Sequence, residues 1–98
     1  GALAATVNGA LESMVLALAL ELAPIRVNAV SPGWVDTPVW DRLAAPDVKN
    51  ARMADLAARL PARRLGRPED IANAVAFLIA DSFVTGTVLH AEGAQVLV

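Results

Sequence analysis

The stretch GALESMVLALALELA, residues 9 to 23, limits what this chain can become more than any other part of it. Its length and its Ala, Leu, Met and Glu content predict a helix, and its only polar side chains are Glu12, Ser13 and Glu21. Glu12 and Glu21 fall on opposite sides of a helical wheel, so the helix is apolar nearly all round and needs burial on more than one side. A chain of 98 residues has little interior to give it. Hydrophobic residues make up 56% of the chain before glycine is counted, against roughly 45–50% for soluble domains with glycine included. The expectation is docking onto further polypeptide or an extensive oligomer. No membrane span is expected, because the longest unbroken apolar run, Met14–Leu20, is far below the roughly 20 residues a span needs. No charged segment precedes that run, so no secretory signal is expected either.

Charge and residue usage exclude further classes. A net charge of −2 and a pI near 5.1 argue against nucleic-acid binding. One histidine and no cysteine leave no protein-only zinc site. The lack of cysteine also suits a reducing compartment, and the cytoplasm is the expected location.

Along the chain, Pro24 is expected to stop the helix. IRVNAV, residues 25 to 30, is β-branched and alternates with Arg26 and Asn28, which predicts a strand. Ser31, Pro32 and Gly33 break it. From Trp34 to Ala62 the chain is polar and irregular, with helices expected near Val48–Leu60 and Val39–Ala44. This segment has the character of an excursion that closes over a ligand. LGRPEDIANAVAFLIA, residues 65 to 80, predicts a second strong helix: Pro68 suits its first turn, and Glu69 and Asp70 complement the helix dipole. Asp81–Gly86 reads as a turn and TVLHA, from Thr87, as a last strand. Helix, strand, excursion, helix, strand is the order of an α/β fold with a parallel sheet. Two strands do not complete such a sheet, whose faces both need covering. The chain therefore reads as the C-terminal part of a larger doubly wound domain.

Three segments in this order, ALESMVLALALELAPIRVNAVSPGWVDTP, RLGRPEDIANAVAFLIAD and FVTGTVLHAEG, resemble the short-chain dehydrogenase/reductase family over nearly the whole chain. The resemblance implies that residues 1–98 are the C-terminal half of a single NAD(P)-binding Rossmann-like domain, with the Gly-rich nucleotide loop and early strands lying before Gly1. It places Pro32, Gly33, Val35 and Thr37 at the nicotinamide, through a close backbone approach at glycine and contacts to the carboxamide. A strand's C-terminal end is the usual ligand crevice of such sheets. The competing reading of the same residues is an ordinary strand-ending turn with a Thr cap.

The family's Tyr-x-x-x-Lys motif is replaced. Alignment on GALES sets Ala4 at the Tyr position and Asn8 at the Lys position, and the chain has no tyrosine. Hydride transfer to a carbonyl leaves charge on oxygen that needs a proton donor or an electrostatic stabiliser. Ala4 supplies neither. Asn8 retains the ability to hydrogen-bond a ribose hydroxyl but carries no charge to shift a pKa.

Remaining polar residues were weighed on their own chemistry. Ser31, Asp36 and His90 can be drawn as a hydrolase triad, but no G-x-S-x-G elbow supports it. Asp36 is expected to cap the following turn, and His90 to be a strand histidine without a catalytic partner. Arg59, Arg63, Arg64 and Arg67, close to Glu69 and Asp70, read as solvated ion pairs, with phosphate contact as the minor reading. Lys49, the only lysine, is no stand-in for the missing one. Trp34 and Trp40 flank the turn and are expected at the substrate pocket or in local packing.

The resulting expectation is an NAD- or NADP-dependent oxidoreductase acting on a small alcohol or carbonyl compound. It assembles as a homodimer or homotetramer through helix 9–23, with last-strand contacts near Gly93 extending the dimer. A family member impaired in catalysis, binding a dinucleotide or a partner protein without turnover, is the alternative, and a pure dimerisation module the third. The isolated 98-residue chain is predicted to self-associate; a monomeric, cooperatively unfolding species in sedimentation and denaturation experiments would contradict this.

Overall fold

The computed structural model describes all 98 residues. They form helix α1 (Ala2–Glu21), strand β1 (Ala29–Pro32), helices α2 (Val39–Leu43), α3 (Pro46–Arg59) and α4 (Pro68–Ala80), strand β2 (Val88–Ala91), and a last 3-10 turn at Gln95–Leu97. The two strands pair in parallel, Ala29 opposite Val88 through Pro32 opposite Ala91. The chain is thus α/β, as expected.

α1 begins seven residues before the predicted start. The preceding residues are mostly helix formers, and Gly9 lies in open surroundings that neither break the helix nor need a glycine. Its end comes at Glu21, before Pro24, where the Leu22 amide donates back to the Leu18 carbonyl at 2.9 Å. By length and composition α1 is apolar enough to cross a membrane; counting unbroken apolar runs understates this, because the helix spans its few polar residues.

Strand β1 is displaced from the predicted residues 25–30. Residues 26–28 are spent on the loop that leads into β2 rather than on the ladder. Arg26 donates to the carbonyls of Leu78 (2.7 Å) and Ile79 (3.0 Å), capping the C-terminal end of α4. Val27 N–H donates to Thr85 Oγ1, the Asn28 amide to the Val84 carbonyl, and Thr87 N–H to Asn28 Oδ1. Asp81 folds the same loop by accepting from the amides of Phe83 and Val84. The ladder then runs from Ala29 N–H to Thr87 through Gly33 N–H to Ala91. Successive donors toward β2 are two residues apart, so Val30 and Pro32 turn their backbone to the unpaired edge. Proline is tolerated there because no N–H is missing from the existing ladder.

The excursion is ordered. Pro46 starts α3 at its first turn with Asp47 beside it. The beginning of α4 is built as the sequence predicts: Pro68 opens it, and the Asp70 carboxylate accepts from the Arg67 amide at 2.7 Å. The terminal 3-10 turn, absent from the sequence expectation, follows Ala94 in the left-handed region at φ 63°.

Only Val15, Leu56, Leu60 and Leu78 are buried, while 18 large hydrophobic side chains are exposed. On α1 these include Leu3, Leu11, Leu16 and Leu20. The sheet is separated from α1 by a cavity of about 440 Å³ and from α4 by one of about 560 Å³. The apolar surplus seen in the sequence is therefore unburied within these residues.

Two outcomes follow. Arg26→Met removes charged donors to the helix end and is expected to destabilise the complete protein by about 2 kcal/mol in denaturant unfolding. The Arg64 guanidinium and the Arg67 amide hold the Asp70 carboxyl down from its ordinary 3.8 to about 2. Its folded value lies below its unfolded one, so its contribution is complete above about pH 4 and is lost as pH falls toward 2. Asp70→Asn is expected to flatten that part of the acid-denaturation profile followed by circular dichroism.

Candidate functional site

The turn after β1 is pinned from two sides. A Cβ on Gly33 would stand 2.6 Å from Gln95 Oε1 and 2.7 Å from Glu92 Cβ. On that side the crossing of the 92–95 segment leaves no room for a side chain, while Gly33 also borders the cavity beside Val35 and Thr37. Gln95 Oε1 also accepts from the Trp34 amide at 2.9 Å. Beyond it, Val35 pairs with Gly66 in an isolated parallel bridge, through Gly66 N–H to the Trp34 carbonyl and Asp36 N–H to the Gly66 carbonyl, both 2.9 Å.

This bridge leaves the Val35 amide pointing elsewhere. The Val35 N–H donates to nothing in the chain, and the Thr37 hydroxyl has no partner. Val35 and Thr37 line a cavity of about 550 Å³ with Pro32, Gly33, Trp34, Trp40 and three further residues, and these include Pro68 and Ile71 of α4. Trp40 is held as a wall of it by its indole N–H, which donates to the Val35 carbonyl at 2.8 Å. Both tryptophans thus lie where the sequence placed them, beside the turn.

Pro32 also lines the cavity between α1 and the sheet, whose polar side chains are Asn8, Glu12 and Ser31. Asn8 thus faces β1 on the α1 side, sharing a cavity with Pro32 but not with Gly33, Val35 or Thr37. Ala4 lies one turn earlier on the same stripe of α1, exposed and outside every cavity. A tyrosine or lysine there and at position 8 would project from one helix face toward that end of β1; alanine and asparagine offer one amide in their place.

The drawn hydrolase triad is not assembled. Ser31 faces the cavity with Asn8, whereas His90 lines a different one with Trp34, Arg64, Asp70 and Glu92. The Asp36 side chain caps nothing, contrary to expectation: the residue's link to its surroundings is its backbone amide, which donates to the Gly66 carbonyl, and its exposed carboxylate accepts from no amide of the following turn. Arg64 and Arg67 pair with Asp70, as expected, at 2.7 and 3.8 Å; Arg59 pairs instead with Asp55 at 3.1 Å, and Arg63 donates to the Ala58 carbonyl. Lys49 bonds Asp41 at 2.6 Å, away from Asn8's cavity.

Sequence reasoning missed Gln95 and the contact of Asp41 with Lys49. Arg26 and Asn28 were read as outward strand positions, although a charge inside an apolar run was the available signal. Gln95 carries no local signal, since its partner is 61 residues away.

A family model described as enoyl-(acyl carrier protein) reductase matches residues 2–93, all of α1 included. A short-chain dehydrogenase/reductase of Stachybotrys chlorohalonatus is 42% identical over 95 residues, which is 95% of this chain and 36% of that protein. A small-chain dehydrogenase solved in complex with NADPH has a TM-score of 0.87 at 39% identity, over 96% of this chain and 42% of the other. The ligand-free aldohexose dehydrogenase of Thermoplasma acidophilum gives 0.85 at 31% identity, over 95% and 40%. The chain spans about a third of the length of the curated relatives it matches. Its two parallel strands are accordingly a piece of a Rossmann-like, doubly wound sheet. The unpaired strand edge, the cavity at the end of β1 and these matches lead to one statement: the chain belongs to the short-chain dehydrogenase/reductase family.

Proposed function

We propose that these residues are the C-terminal part of one NAD(P)-binding domain in an oxidoreductase that acts on a small alcohol or carbonyl compound. The observation that carries this reading is the unpaired Val35 N–H and Thr37 hydroxyl lining a cavity at the C-terminal end of a parallel strand. A donor amide and a hydroxyl fit a carboxamide, which presents both an acceptor and donors. Bound NAD(P) supplies or accepts the hydride. Pro32 supplies an apolar surface beside these polar groups, and Asn8, in the adjoining cavity, has an amide suited to a ribose hydroxyl. Trp34 and Trp40 border the same cavity and give the substrate side two aromatic surfaces.

Proton movement is where this chain's residues fall short. Ala4 has no proton to give, and Asn8 holds no positive charge near the reacting oxygen. This favours a second reading, a family member that binds the dinucleotide or a partner protein without efficient turnover. The face of α1 that carries the exposed Leu16 and Leu20, away from the cavity lined by Leu11 and Met14, suits a second copy of the chain as well as the rest of the domain, giving a cytoplasmic dimer or tetramer.

Titration of the complete protein with NADH and NADPH, followed by emission of Trp34 and Trp40 and assigned with single Trp→Phe variants, is expected to show saturable quenching. The absence of any saturable change, confirmed by calorimetry, would end the nucleotide reading. Joint substitution Ala4→Tyr and Asn8→Lys is expected to raise carbonyl reduction by about 10²-fold or more, the usual contribution of a placed acid. An unchanged rate would mean that a donor outside these residues already serves.

A further inference from the structure

Helix α2 is too short to stand by itself. It has five residues, none of them buried, and its N-terminal end has no side-chain cap. An isolated helix needs on the order of 12 residues or more to be even marginal in water. Two side-chain contacts from neighbouring residues hold it. Trp40 reaches back to the Val35 carbonyl at 2.8 Å, and Asp41 reaches forward to Lys49 of α3 at 2.6 Å.

The second contact is asymmetric. The Lys49 side chain is 21% exposed and Asp41 62%, so the lysine is the more covered member of the pair that ties α2 to α3. Asp36 adds a second negative charge near Lys49, and together with Asp41 it holds the ammonium above its usual range. Covering a charge tolerates no loss of its partner without cost. The residue adjoining Asp41, Trp40, is a wall of the cavity beside Pro32 and Thr37.

We propose that Asp41 and Lys49 are positioning residues. Their ion pair latches α2 to α3, keeps Trp40 in place as the cavity wall, and thereby sets how readily a small ligand enters. The part concerning ligand entry rests on the function proposed above; the latch itself does not. Neither residue touches the groups at the strand end, so neither is catalytic.

The latch is read with Trp40 as the only tryptophan, in the complete protein carrying Trp34→Phe. Lys49→Met and Asp41→Asn are expected to red-shift Trp40 emission and raise its acrylamide quenching about two- to fivefold, the range open to a single ion pair of partial exposure. High salt is expected to act in the same direction on the parent and not on the variants. Lys49→Arg and Asp41→Glu, which keep the sign of each charge, are expected to retain the parent signal. Unchanged Trp40 emission in both single variants, with far-ultraviolet circular dichroism intact, would overturn the proposal. So would single variants that both move Trp40 while neither charge-keeping variant retains the parent signal.

With Trp34 in place, the single variants are expected to raise KM for a carbonyl substrate and leave kcat within about twofold, since uniform binding is what they lose. A fall in kcat at constant KM would overturn the positioning role. A Trp40 response without nucleotide or substrate binding would sustain the latch and remove the functional reading instead.

Discussion

Everything in this chain hangs on hydrogen bonds that cross between two short strands and the loops at their ends. Arg26 and Asn28 clasp the carbonyls and amides between Leu78 and Thr87 at one end. Gly33 and Trp34 meet Glu92 and Gln95 at the other. These contacts bridge more than fifty residues of sequence. Arg26 and Asn28, the polar residues inside the otherwise apolar segment from Ile25 to Val30, are spent on these contacts.

The order of elements and the parallel pairing were legible because each rests on local signals: apolar helical stretches, a Pro-Gly break, and Pro68 with Asp70 at a helix start. Boundaries were less legible. The strand moved from residues 25–30 to Ala29–Pro32 because alternation reports a half-buried extended chain and does not say whether its backbone pairs with a strand or a loop. Of the candidate residues, Pro32, Gly33, Val35, Thr37 and both tryptophans border one cavity, while Asn8 meets only Pro32 among them, in the cavity on the α1 side. The packing at Gly33 was not legible, since only the fold reveals that Glu92 and Gln95 cross it.

The chemistry divides in a similar way. The Val35 amide and the Thr37 hydroxyl have no partner in the chain and belong to residues beside Pro32 at the end of β1. The stripe of α1 through Ala4 and Asn8 carries no group that moves a proton.

Pro32 closes β1 with its backbone turned to the unpaired edge. A neighbouring strand laid along that edge finds both a donor and an acceptor at Val30, but only a carbonyl at Pro32. A ladder on that side is one hydrogen bond short at Pro32, at the point where the candidate ligand groups begin.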